Sequence, residues 1–202
     1  VKHKDNNPTM RLIPSLALSL LLLSPHALNA ECPDLLALRS DFITSELFEV
    51  NQLNNFYYEQ LYHDIAQVGA KCQTLNVTSS DSDDGVINMA FSVKYGPVPF
   101  TIDEIYTPTK AGGPGLFNKN ADMPGGKLLT LPTVVVDVAL DYSTMILYSC
   151  LELPGSNAVR ELVIATIDPE PSDETVQALL ETAIDAGVDI KRDDIKAVDY
   201  CP

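Results

Sequence analysis

The chain has 202 residues and a formal net charge of -15. That length suffices for one domain with a sizeable core, and the charge excludes nucleic acid and anionic membrane surfaces as partners, because phosphate contacts need a basic face. Such acidity suits a soluble extracellular protein that resists association.

Residues 1–30 read as upstream sequence and an export signal. "VKHKDNNPT" precedes Met10; Arg11, the apolar run "LIPSLALSLLLL" and "SPHALNA" then supply a charged start, a short apolar stretch and a small residue at a cut site after Ala30. The run is too short for a typical membrane span, and Pro14 interrupts it. The mature domain is expected over 31–202, secreted, with no membrane span. Removing Lys2, Lys4, Arg11 and Asp5 takes the charge from -15 to about -17.

All four cysteines, Cys32, Cys72, Cys150 and Cys201, lie in that mature part. An even count in an exported chain implies two disulfides, with three connectivities open on paper. No pair has CxxC spacing, so a zinc site is not expected. "NVT" at Asn76 is a glycosylation sequon.

The middle of the chain reads as strands between turns. The opening stretch "LNNFYYEQLYHD" is the densest aromatic run in a chain without tryptophan. "KCQTLNVTSS" alternates and stops at "DSDDG"; "GVINMAFSVKY" stops at "GP"; "PFTIDEIY" runs into the breaker-rich "TPTKAGGPG". "LFNKN" is weaker. "TVVVDVALDY" and "TMILYSCLEL" flank a tight turn at Tyr142–Ser143, and "VRELVIATI" follows "PGSN". These make about eight short strands in meander order, which suggests an antiparallel up-and-down barrel or a sandwich.

The next segment is helical. Ser172 or Asp173 caps it; Val176, Leu179, Leu180, Ala183 and Ile184 recur at helical spacing; Gly187 sits where a C-terminal glycine belongs. One apolar stripe predicts one helix lying outside the sheet. Eight antiparallel strands, one late helix and two disulfides point to a small mainly-β barrel, whose interior is wide enough for one small ligand.

These residues resemble the lipocalins, in particular the apolipoprotein D, insecticyanin and crustacyanin group. "FEVNQLNNFYYEQL" resembles the family's first motif, a turn of helix before a strand with Gly-x-Trp-Tyr. "LDYSTMILYSC" is similar to the second, Thr-Asp-Tyr before a strand ending Tyr-Ser-Cys. "LVIATIDPEPSDETVQALLETAIDAGVDI" resembles the last strand and following helix, and "VDYCP" the terminal cysteine. Four positions depart: the family's glycine falls on Asn55, its tryptophan on Tyr57, the arginine packed over that tryptophan on Thr166, and the motif threonine on Leu140. A hydroxyl bond between Tyr57 and Thr166 is the expected replacement for the tryptophan–arginine stack, since the first and eighth strands are neighbours in a closed barrel. The resemblance also implies the pairings Cys32–Cys150 and Cys72–Cys201.

Alternation assigns inward faces. Tyr57, Glu59, Leu61 and His63 share one parity and are expected to run from barrel floor to mouth, with Tyr58, Gln60 and Tyr62 outside. Leu75 and Val77 face inward if Asn76 carries a glycan. Met89 and Phe91 follow on the next strand, then Ile102 and Tyr106 with Glu104, then Met145 and Leu147, and Leu162 on the eighth strand. The inward face of Val134–Leu140 stays open. His63 is the lone histidine of the mature part, too few for a triad or a histidine-rich metal site. "DSDDG" reads as a turn rather than a calcium loop, and "AGGPG" lacks the Lys-Ser/Thr of a phosphate loop.

The expected function is therefore extracellular binding, transport or storage of a small hydrophobic ligand, with no cofactor required. The resemblance implies a pigment, carotenoid or bilin; a fatty acid or sterol carried as apolipoprotein D-like proteins do is the alternative. A reading of another class is a subunit of a homo- or hetero-oligomer. An enzyme is not expected, because the lipocalin branch with catalysis uses a pocket cysteine and all four cysteines here fall at disulfide positions.

Overall fold

The computed structural model describes residues 31–79, 84–110, 112–123, 127–199 and 201; the proposed signal lies outside them. Eight antiparallel strands form a closed barrel: β1 (Phe56–His63), β2 (Lys71–Ser79), β3 (Ile87–Tyr95), β4 (Val98–Pro108), β5 (Leu116–Met123), β6 (Lys127–Val138), β7 (Thr144–Leu151) and β8 (Val159–Thr166). Each pairs with the next, and β1 pairs with both β8 and β2, which removes the sheet edges. A two-residue strand, β9 (Lys196–Ala197), adds to β1.

The floor is built by the segment before β1. Ser40 caps a single turn, α1 (Asp41–Thr44), and Ile43 and Leu53 from this segment are buried. Phe42, Phe48 and Tyr142 pack as an aromatic cluster with ring centroids 6.0–6.3 Å apart. Gly115, at φ +79°, lets the β4–β5 turn close onto Ile43; a Cβ there would stand 2.5 Å from the isoleucine Cγ2.

Helix α2 (Asp173–Asp185) lies against the outside of the barrel. Ser172 caps it, accepting from Thr175 N at 3.2 Å. It ends in a Schellman motif: Val188 N donates to Ala183 O and Gly187 N to Ile184 O, with Gly187 at φ +97°. Leu180 and Ala183 are buried against Leu61, Val134, Val136, Ile146, Leu162 and Ile164. Cys32–Cys150 ties the N-terminal tail to the end of β7, and Cys72–Cys201 pins the C-terminal tail at the start of β2.

Two bulges correct the strand parities. The β1–β8 register shifts between Glu59 and Leu61. Tyr57 and Glu59 face inward as alternation predicts, but Leu61 and His63 beyond the bulge face outward and Tyr62 turns in, opposite Val163. Leu162, paired with His63, is also outside, under α2. A second shift between Val135 and Asp137 settles the strand left open: Leu131, Val135 and Val138 face in, Val134 and Val136 face the helix.

Candidate ligand cavity

A cavity of about 220 Å³ occupies the upper half of the barrel, between the closed floor and the β1–β2 loop. Of the residues singled out from sequence, Leu75, Met89, Phe91, Ile102, Tyr106 and Leu147 line it. Val77 and Met145 face inward but are packed into the core. Tyr57 belongs to the floor. Its hydroxyl donates to Tyr142 O at 2.9 Å, and burial pushes its phenol up to about 12. Thr166 is not its partner: Thr166 is paired with Tyr58, so it points outward, where it accepts from Gln60 Nε2 at 3.0 Å and donates to Asp168 O at 2.6 Å. The floor is closed instead by Tyr142, whose carbonyl takes Tyr57 and whose hydroxyl accepts from Glu49 N at 2.8 Å. His63 lies outside, its Nδ1 3.1 Å from Asp194 O.

The β1–β2 loop forms the roof. Asp64 caps its short 3-10 turn, accepting from Ala66 N at 2.7 Å, and Tyr95 at the end of β3 donates to Ala66 O at 2.6 Å. Gln67 hangs inward from this turn. It donates to Glu59 Oε1 at 3.5 Å and accepts from Gln73 Nε2 at 3.3 Å, while Glu59 Oε2 and Gln73 Oε1 are buried without a hydrogen-bond partner. Glu59 is 2% exposed, and burial holds its carboxyl well above the usual range.

A charged group stands in the otherwise apolar wall. Lys119 Nζ lies 3.4 Å from Glu104 Oε1 and is bonded to Glu161 Oε2; Tyr106 OH donates to Glu104 Oε2 at 2.7 Å. Burial alone would lower the lysine, but Glu104 and Glu161 outweigh it and hold its ammonium well above the ordinary value. Glu104 was legible on the Ile102–Tyr106 face. Lys119 sits inward between Phe117 and Ala121 in the weak fifth strand. Glu161 has the parity opposite to Leu162, which alternation set inward; the structure turns Leu162 out under α2 and Glu161 into the cavity.

The barrel fold has solved counterparts. Insecticyanin from the tobacco hornworm Manduca sexta superposes with a TM-score of 0.61 at 15% identity, covering 81% of this chain and 86% of that one. Lobster apocrustacyanin A1 gives 0.57 at 16% identity over 75% and 79%. The siderocalin Ex-FABP, described as having dual ligand specificities, gives 0.55 at 7% identity over 75% and 96%. The fold is that of the lipocalins. No protein-family model and no curated protein sequence matches the chain. Among the described residues no helix is long and apolar enough to cross a membrane, and no cluster of His, Cys, Asp and Glu is arranged to hold a metal ion.

Proposed function

We propose that this protein binds a compact, mainly apolar molecule in the upper half of its barrel and carries or stores it outside the cell. The observation that supports this is a cavity walled by Leu75, Met89, Phe91, Ile102 and Leu147 above a floor sealed by Tyr57 and Tyr142. Apolar walls supply affinity through burial, and a few polar groups orient the guest. The volume of about 220 Å³ lies under the ~300–1,000 Å³ usual for drug-sized ligands, so a small guest enters whole and a long pigment enters by one end. The carotenoid and bilin readings rest on the resemblance to insecticyanin- and crustacyanin-like proteins; the lipid reading needs only the apolar wall. Cleavage after Ala30, a glycan on the exposed Asn76 and assembly into oligomers complete the reading.

The test is titration with the neutral fluorescent probe N-phenyl-1-naphthylamine, beside an absorption spectrum and organic extraction of protein from its native tissue. Binding of the probe that is lost in Phe91→Asp, with a folded circular dichroism spectrum retained, is the expected result, because an unpaired charge in that wall is costly. Visible bands in the native protein select the pigment reading; their absence with an extracted lipid selects the other. A wild type that neither binds the probe nor carries any extractable organic molecule overturns the proposal.

A further inference from the structure

Among the described residues, the charged members of the cavity wall are Asp64, Glu104 and Glu161 against Lys119: three carboxylates and one ammonium. They come from four different elements, the roof turn and strands β4, β8 and β5, so the fold and not local sequence gathers them. Glu104 is 8% and Lys119 7% exposed. The ammonium is already committed to both glutamates, and Tyr106 OH donates to Glu104 as well.

Among the described residues of the cavity wall, the one cation an anionic head group, such as a fatty-acid carboxylate, would meet is Lys119, already paired with both glutamates. Such a head group would add a fourth negative charge to a cavity with low-dielectric walls, where the potential of the existing charges is focused. A protonated amine meets the opposite field. Its N–H donors match carboxylate acceptors in the manner Lys119 already does, and charge-assisted bonds of this kind are the stronger class. We infer that the guest of this cavity is a cationic amphiphile, a primary amine on a compact apolar body, with its ammonium seated among Glu104, Glu161 and Asp64 and its apolar body against Phe91, Met89 and Ile102. This rests on the proposal that the cavity binds a ligand and adds the chemistry of the head group. Asp64 faces the same charges: burial first, then the nearby Glu161, raise its carboxyl above the usual range.

Lys119 then acts as a resident stand-in for the ligand's ammonium. Replacing it by methionine keeps the apolar stem and removes the cation that shares both glutamates with a guest.

Three probes with one tail, decylamine, decan-1-ol and decanoate, separate head-group preference from apolar binding. Each is titrated at pH 7 in competition with N-phenyl-1-naphthylamine. Decylamine is expected to bind at least about tenfold more tightly than decanoate, with the alcohol between them. The preference should fall to about twofold or less in Glu104→Gln/Glu161→Gln. Should that double variant fail to fold, Lys119→Met provides the second reading: decylamine should raise its melting temperature more than it raises that of the wild type, and decanoate should not. Equal binding of the three probes, tighter binding of decanoate, or no competition by any of them while the fluorescent probe binds, overturns the amine inference and leaves the apolar-ligand reading standing. Loss of binding of the fluorescent probe itself in the wild type overturns that reading instead.

Discussion

At the scale of single residues, the buried tyrosine and the buried glutamate make separate predictions. Tyr57→Phe removes the donor to Tyr142 O and should cost about 1–3 kcal/mol in a denaturant titration, the usual range for a buried polar group left unpaired. Thr166→Val should add to it independently, within about 0.5 kcal/mol, since the two side chains lie on opposite faces of the sheet. A larger coupling would mean that they interact after all. Glu59 gives a pH dependence. Burial raises its folded-state value above the ordinary 4.5, so the fold holds a proton that the unfolded chain has lost. Its contribution to stability is full below that ordinary value and declines as pH rises toward the folded one. Glu59→Gln removes this titration, so the variant's melting temperature should gain on the wild type as pH rises above the ordinary 4.5. Asp64 titrates with the same sign in both proteins and its charge also raises Glu59, so the difference reads Glu59 together with that coupling. A difference that stays constant over that range would show that Glu59 ionises as readily folded as unfolded.

The helix and the bulged strand show what an element contributes. The Ser172 hydroxyl satisfies one of the free N–H groups of the first turn of α2, so Ser172→Ala should cost about 1 kcal/mol. Leu180 is buried between α2 and the barrel wall; Leu180→Ala leaves a cavity there and should cost about 2–5 kcal/mol. Neither change touches the ligand cavity, so the affinity for N-phenyl-1-naphthylamine should stay unchanged in a titration of both folded variants. In β1 the bulge after Glu59 is what lets one strand serve two partners. Below it Tyr57 and Glu59 serve the interior; above it Leu61 serves the helix and Tyr62 the roof, its hydroxyl 3.5 Å from Gln67 O. An unbulged strand would place Leu61 and His63 in the barrel and Tyr62 under α2.

For the whole molecule, the two disulfides span 118 and 129 residues and hold both tails to the barrel. Closing loops of that size restricts the unfolded chain by up to about 4.7 kcal/mol each. Replacing Cys32 and Cys150 together by serine should therefore lower stability by about 2–5 kcal/mol while leaving the eight-stranded circular dichroism signature intact. Loss of the barrel spectrum would show that this bridge is needed to form the fold and not only to stabilise it.

The strand and helix sequence was carried by residue pattern alone. Period-two runs ending at Gly, Pro and Asp-rich turns marked the eight strands, and the spacing from Val176 to Ile184 with Ser172 and Gly187 at its ends marked the helix, because these signals depend on neighbours within a few residues. The faces of β3, β4 and β7 were legible for the same reason. The facing of β1 beyond Glu59 and of β6 was not, since a bulge is a property of two strands paired in space and leaves no mark on the alternation of one. The partner of Tyr57 was likewise decided by register, which set Thr166 opposite Tyr58. The same holds for the charges of the cavity: Asp64, Glu104, Lys119 and Glu161 are scattered over nearly 100 residues of chain and meet only because closure of the barrel turns four separate elements toward one interior.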